Sequence, residues 1–160
     1  MKNNMENQPY WDNVNIGDEI TPLSKIATRQ TLVKWAGASG DLNPLHYDEH
    51  FASQEGVEKP IVHGALKRQW LIHLVTAWAG EEGFLKNFSC RYRAVDYPRL
   101  MKTTGEPEDG ETWWCKGKVI KKYTQDDGNY VDCDIRVENG KGEVTTSGKA
   151  TVLLPVRKTG

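Results

Sequence analysis

The stretch GALKRQWLIHLVTAWA, residues 64–79, constrains the fold more than any other. At 100° per residue it sets Leu66, Trp70, Leu71, Leu74, Val75 and Trp78 on one broad apolar stripe, so it predicts a helix with a face to bury. Such a helix needs a wide apolar surface to lie against, and the second half of the chain supplies one. In NYVDCDIRVENG, Val131, Cys133, Ile135 and Val137 alternate with Asp132, Asp134, Arg136 and Glu138, the period of a strand with one wet face. Upstream, Trp113, Cys115, Val119 and Tyr123 share a parity; downstream, Val144, Ala150, Val152 and Leu154 do the same. DDGN (126–129) and NGKG (139–142) are the turns between them, so the region reads as an antiparallel meander. Further strands are expected over 88–97 and near 100–106, with an edge strand within 17–26. A short amphipathic helix is expected over 28–38, with Leu32, Trp35 and Ala36 on one side and Ser39-Gly40 ending it. The result is an α+β domain, one long helix on an antiparallel sheet.

With 160 residues, 38% hydrophobic and 27% charged, the chain has material for one core. We expect a polar tail over 1–11 and a single domain over 12–156. A net charge of −1 gives no whole-molecule attraction for nucleic acid. No window approaches the apolar length of a membrane span, and the start MKNNMENQPYW lacks the apolar core of a signal peptide, so a cytoplasmic protein is expected. Cys90, Cys115 and Cys133 are odd in number and lack a CxxC pair, which fits reduced core residues better than disulfides or zinc.

SGDLNPLHYDEH, residues 39–50, packs Asp41, Asn43, Pro44 and His46 into one loop. Asp, Asn and Pro are ordinary turn residues, so the loop could merely turn. It could also fold a carboxylate and an imidazole onto one water molecule, with Asn43 bracing the backbone; that pair suits general acid-base work. In KPIVHGALKRQW, His63-Gly64 opens the long helix, where unpaired N–H groups and the helix dipole favour a carbonyl oxygen that gains charge. Gly64 would let a ligand come close, or would only ease the turn, with His63 a structural histidine.

Together, WAGASGDLNPLH (35–46) and PIVHGAL (60–66) resemble the signature of the MaoC-like, (R)-specific enoyl-CoA hydratases, and the likeness in layout extends over about residues 12–155. The resemblance implies a hot-dog fold, an antiparallel sheet wrapped around the long helix. It also implies a homodimer or higher oligomer of dimers that continues the sheet or shares sites, with a heteromeric partner subunit as a further option. On this transfer Asp41 and His46 match the pair that handles the water of a 2-enoyl or 3-hydroxyacyl thioester. Gly64 matches the backbone donor to the thioester oxygen, and Asn43 matches the loop support. His63, Ala65, Lys67 and Trp35 are the accompanying substrate-side candidates. The substrate is an acyl thioester of coenzyme A or of acyl carrier protein, and no metal or redox cofactor is expected beyond coenzyme A as part of the substrate.

Two departures stand out. Ala65 is followed by Lys67 and Arg68, and Lys67 falls inside the apolar stripe. A lysine whose head snorkels to solvent is the expected reading, with recognition of an acidic acyl group as the alternative. YPRLMKTTGE (97–106) stands where the family commonly has a Pro-Gly-Asp turn. His46 and His50 are four apart but Pro44 argues against a shared helix, so no metal pair is expected. Arg91, Arg93 and Arg99 are either phosphate contacts or a solvated face, and the tryptophans read mainly as core or dimer contacts, with Trp35 and Trp70 as possible acyl-pocket walls. A hydratase or dehydratase is the leading function; the alternatives are a hot-dog thioesterase and a supporting or acyl-CoA-binding subunit.

Overall fold

The computed structural model describes residues 8–125 and 127–157. Five strands form one antiparallel sheet in the order β1-β3-β4-β5-β2: β1 (Glu19–Lys25), β2 (Phe84–Tyr92), β3 (Trp113–Gln125), β4 (Gly128–Glu138) and β5 (Val144–Leu153). Two short helices, α1 (Arg29–Ser39) and α2 (Glu49–Gln54), precede the long helix α3 (Gly64–Ala79), which touches all five strands. The sheet curls around α3. Each strand pairing contains a register shift, at Ile20/Leu23, Leu85/Asn87, Val119/Lys121 and Val137/Glu138, and bulges of this kind bend and twist a sheet.

The stripe of α3 is buried as its periodicity requires, with Leu71, Leu74 and Val75 almost wholly covered and Trp70 tilted against Trp113 at 5.9 Å between ring centroids. From the sheet, Trp113, Cys115, Val119, Val131, Cys133, Ile135, Val137, Ala150 and Val152 close the core. Two residues depart from the expected parity. Tyr123 lies beyond the Val119/Lys121 shift, so its ring stacks on Tyr130 and its hydroxyl donates to Asp132 on the wet face. Val144 lies beyond the Val137/Glu138 shift and is exposed, while Thr146 takes the inward place beside Val137.

β2 starts and ends earlier than the expected 88–97 strand, and no strand forms over 100–106. Pro98 and Pro107 bracket that segment and cannot donate to a ladder. It makes only the isolated bridges Thr28↔Arg99 and Met101↔Pro107, and it docks beside α1 through Arg99 N–H to Ala27 O and Arg29 N–H to Arg99 O. Asp126, within the expected 126–129 turn, lies outside the described residues, as do 1–7 of the expected tail. Residues 8–11 are attached to the domain. Gln8 donates to Ala79 O at the end of α3, and Trp11 packs against the core with its backbone N–H on Pro155 O and its indole N–H on Tyr130 O.

Candidate active site

The loop after α1 is built by capping chemistry. Thr28 and Thr31 cap the start of α1 reciprocally, and Gly40, at φ 75°, ends it in the left-handed conformation that glycine takes cheaply. Ser39 Oγ donates to Trp35 O and accepts from Asp41 N–H, which ties the aspartate to the last turn of the helix. Asn43 then caps a single helical turn over Pro44–His46: its Oδ1 accepts from Leu45 N–H at 3.0 Å, with proline in the first turn where its missing N–H costs nothing. His46 is thereby carried inward and is buried, while Asn43 stays exposed, and its own N–H donates to Asp41 Oδ1 at 3.4 Å.

A second segment crosses this loop just before α3. Ile61 N–H donates to Leu45 O, and Ile61 O lies 2.8 Å from His46 Nδ1. A carbonyl can only accept, so Nδ1 is the donor in this contact and Nε2 is the ring nitrogen left to face the site. His63, fully buried, stacks its ring on His46 at 3.7 Å and 21°, and its Nε2 lies 3.4 Å from the backbone oxygen of Asp41. One donor atom from each of Asp41, His46 and His63 falls within 4.8 Å of the others. Burial, and next the neighbouring His46 ring, push the His63 imidazole below its usual pKa, which favours its neutral form. His63 Nδ1 finds no partner among the described residues.

The trio has the composition of a metal ligand set, but near-parallel rings aim their lone pairs side by side rather than at one point, a poor tetrahedral arrangement. His50 takes no part: it sits in α2, exposed, with Gln54 as its partner.

Gly64 is the first residue of α3, with no side-chain cap from His63; Leu66 and Lys67 N–H donate to His63 O, while the N–H groups of Gly64 and Ala65 have no partner among the described residues. A Cβ here would stand 2.8 Å from the Tyr92 ring, so the glycine lets the edge of β2 close over the helix start. Beside it is a cleft of about 290 Å³ lined by Ile61, Val62, Gly64, Lys67, Tyr92, Arg93, Ala94 and Val95. Ala65 is half-buried behind Gly64. Trp35 does not line this cleft; it packs against the core and holds Ser39. Trp70 is also a core residue.

Lys67 corrects the expectation that its head reaches solvent. It is 2% exposed, and Nζ donates to Asp96 Oδ2 at 2.6 Å and to Ala94 O at 2.9 Å. A cation inside an apolar stripe requires a buried counter-charge, and Asp96, which sequence reasoning missed, provides it. Its other oxygen accepts from Trp113 Nε1 at 2.8 Å. The same pairing leaves Lys67 engaged and not open to an acidic acyl group. Among the arginines, Arg99 is locked to Glu111 O and Thr112, whereas Arg91 and Arg93 border a groove of about 660 Å³ on the outer face of β2, β5 and β4.

A sheet curled about one helix, with the site at that helix's start, is the hot-dog fold, and solved structures agree. The (R)-hydratase from A. caviae involved in PHA biosynthesis superposes with a TM-score of 0.72 at 24% identity, covering 89% of this chain and 98% of the other. The MaoC-like dehydratase from Rhodospirillum rubrum gives 0.77 at 15% identity, covering 94% and 99%. The ChsH1-ChsH2 complex from Mycobacterium tuberculosis gives 0.71 at 18%, covering 88% and 98%.

Residues 12–128 match the MaoC like domain, and the chain belongs to that family. Its similar curated relatives include a probable enoyl-CoA hydratase 2 of Dictyostelium discoideum, 32% identical over 117 residues, which span 68% of this chain and 37% of that protein. The fatty acid synthase subunit beta of Saccharomyces cerevisiae is 31% identical over 120 residues, 73% of this chain and 6% of that protein. The chain thus spans well under half the length of these curated relatives.

Proposed function

We infer that this protein is an acyl-thioester hydratase or dehydratase, adding water reversibly to a 2-enoyl-CoA to give a 3-hydroxyacyl-CoA. The observation that carries the reading is the gathering of the Asp41 carboxylate and a bare His46 Nε2 against the start of a helix whose first residue is glycine. The hydratase named among its relatives supports it. In the hydration direction Asp41 and His46 hold the attacking water by its two hydrogens, and its oxygen bonds to the β carbon. The proton released from water reaches the α carbon by way of the pair, and the N–H of Gly64 stabilises the thioester oxygen while it carries enolate charge. The elimination runs the same steps in reverse. Asn43 serves the site as a brace, and His63 by stacking on His46. No cofactor enters other than coenzyme A, or acyl carrier protein, as the carrier of the acyl group.

We read the working unit as at least a dimer of hot-dog domains. β2 is an edge strand with Phe84 and Tyr92 exposed along it, and an open edge is the place for a second sheet to continue. The unpaired cysteines fit a cytoplasmic setting.

The test is loss of the enoyl-thioester absorbance when the protein meets crotonyl-CoA and branched, aromatic and longer 2-enoyl-CoAs, with thiol release followed in parallel. Hydration without thiol release is expected, and Asp41→Asn and His46→Ala should each lower kcat by about 10²–10⁴. Release of free coenzyme A that survives neither substitution would instead identify a thioesterase.

A further inference from the structure

The Lys67–Asp96 pair is hard to explain as a device for stability. Lys67 lies in the first turn of α3, the end where the helix dipole disfavours a cation, and its neighbours on the stripe are Leu66, Trp70, Leu71 and Leu74. An apolar side chain of similar volume generally fills such a place as well as a buried ion pair does. What the pair adds is a junction. The Asp96 side chain is bonded to α3 through Lys67 and to β3 through Trp113 Nε1. Its backbone oxygen accepts from Val62 N–H at 2.8 Å, in the segment that delivers His63 and Gly64. Lys67 adds a bond to Ala94 O. The cleft is lined by Val62, Gly64 and Lys67 from α3 and the segment before it, and by Arg93, Ala94 and Val95 from the segment after β2. The pair therefore ties together the two segments that line the cleft, one turn of helix from Gly64.

We propose that Lys67 and Asp96 are positioning residues of the hydratase reaction, setting the cleft width so that the thioester oxygen meets the amide of Gly64. This rests on the hydratase reading. Being buried at both ends, the pair also explains why Lys67 is not a substrate ligand.

The experiment compares wild type, Lys67→Met and the double variant Lys67→Met/Asp96→Asn. Lys67→Met strands the Asp96 carboxylate and should lower Tm. The double variant removes that charge, keeps an acceptor for Trp113 and should recover most of the Tm. With kinetics read well below each midpoint, kcat on crotonyl-CoA in the double variant should stay about tenfold or more below wild type, with KM changed by less than about threefold, because sub-ångström misplacement acts on the transition state. Recovery of kcat together with Tm would overturn the proposal. Amide hydrogen exchange gives a readout independent of turnover: exchange over 61–67 and 94–96 should quicken in the double variant relative to β4, and unchanged exchange there would overturn it. A wild type inert toward every enoyl-CoA would sink the hydratase reading and leave the exchange arm to judge the positioning role.

Discussion

Replacing Gly64 by alanine separates a catalytic amide from a merely structural glycine. Gly64 is not among the glycines with positive φ, so alanine can take its backbone conformation, and the loss of glycine's unfolded-state freedom favours the variant by about 0.4–1 kcal/mol. Against this, the new Cβ would stand 2.8, 2.9 and 3.1 Å from three carbons of the Tyr92 ring, all inside ordinary contact. Tyr92 ends an edge strand and is 51% exposed, so the ring can swing aside for the cost of an off-rotamer side chain, about 0.5–1.5 kcal/mol. The two nearly cancel, and Tm should move by no more than about 4 °C. Alanine keeps the N–H, but its methyl projects beside the cleft that Gly64 lines and would hold the thioester oxygen out of reach of the amide, and losing the contact with one such donor costs about 10²–10³ in kcat. Thermal unfolding and the crotonyl-CoA assay on the same samples therefore give a near-silent Tm and a large loss of kcat. Adding Tyr92→Ala would relieve the contact but should not restore turnover. Activity within a few-fold of wild type at unchanged Tm would refute the assignment of Gly64, because the amide could then not lie at the reacting oxygen.

Three further outcomes are expected. His63 is neutral and depressed in the folded state, so between its folded pKa and the unfolded value of about 6.5 the unfolded chain binds more protons; stability is full above that range and falls as pH drops through it. Urea midpoints from pH 7.5 to 5 should show this slope, and His63→Phe, which keeps the stack, should flatten it. Gly148→Ala drives a Cβ against the Ser89 carbonyl across the β5–β2 ladder, where backbone cannot swing aside, and should cost about 1–3 kcal/mol by chemical denaturation. The thiols of Cys115 and Cys133 are pushed up to about 12 by burial, so a disulfide reagent at pH 8 should leave both untouched in the native protein, reach the half-buried Cys90 first, and titrate all three in urea.

The parts of the fold that were legible are those whose signal is local. The stripe on α3 and the alternation in β4 each follow from side chains a few residues apart, and both lie where the periodicity puts them. Tyr123 and Val144 were misread because a single register shift reverses the face of every residue beyond it, and a bulge leaves no mark in hydropathy. The 100–106 segment carried enough apolar residues for a strand, but the prolines on either side decide the matter by removing donors.

The same distinction divides the candidate site. Asp41 and His46 could be paired from the sequence because the residues that shape their loop, Ser39, Gly40, Asn43 and Pro44, act on neighbours one to four positions away. Lys67 and Asp96 could not be, since they are 29 positions apart and the strand expected over 88–97 ends at Tyr92, leaving Asp96 in a loop that no local pattern directs toward α3. Yet the stripe did contain half of the answer. A lysine in the middle of an apolar face must either escape to solvent or find a carboxylate, and escape is open only where the helix end is uncovered. Here residues 94–96 cover the start of α3, so the lysine is enclosed and the counter-charge has to come from the segment that encloses it. In this chain the charged exception within the stripe thus marks where a remote loop closes over the helix start, which is also where the proposed substrate cleft lies.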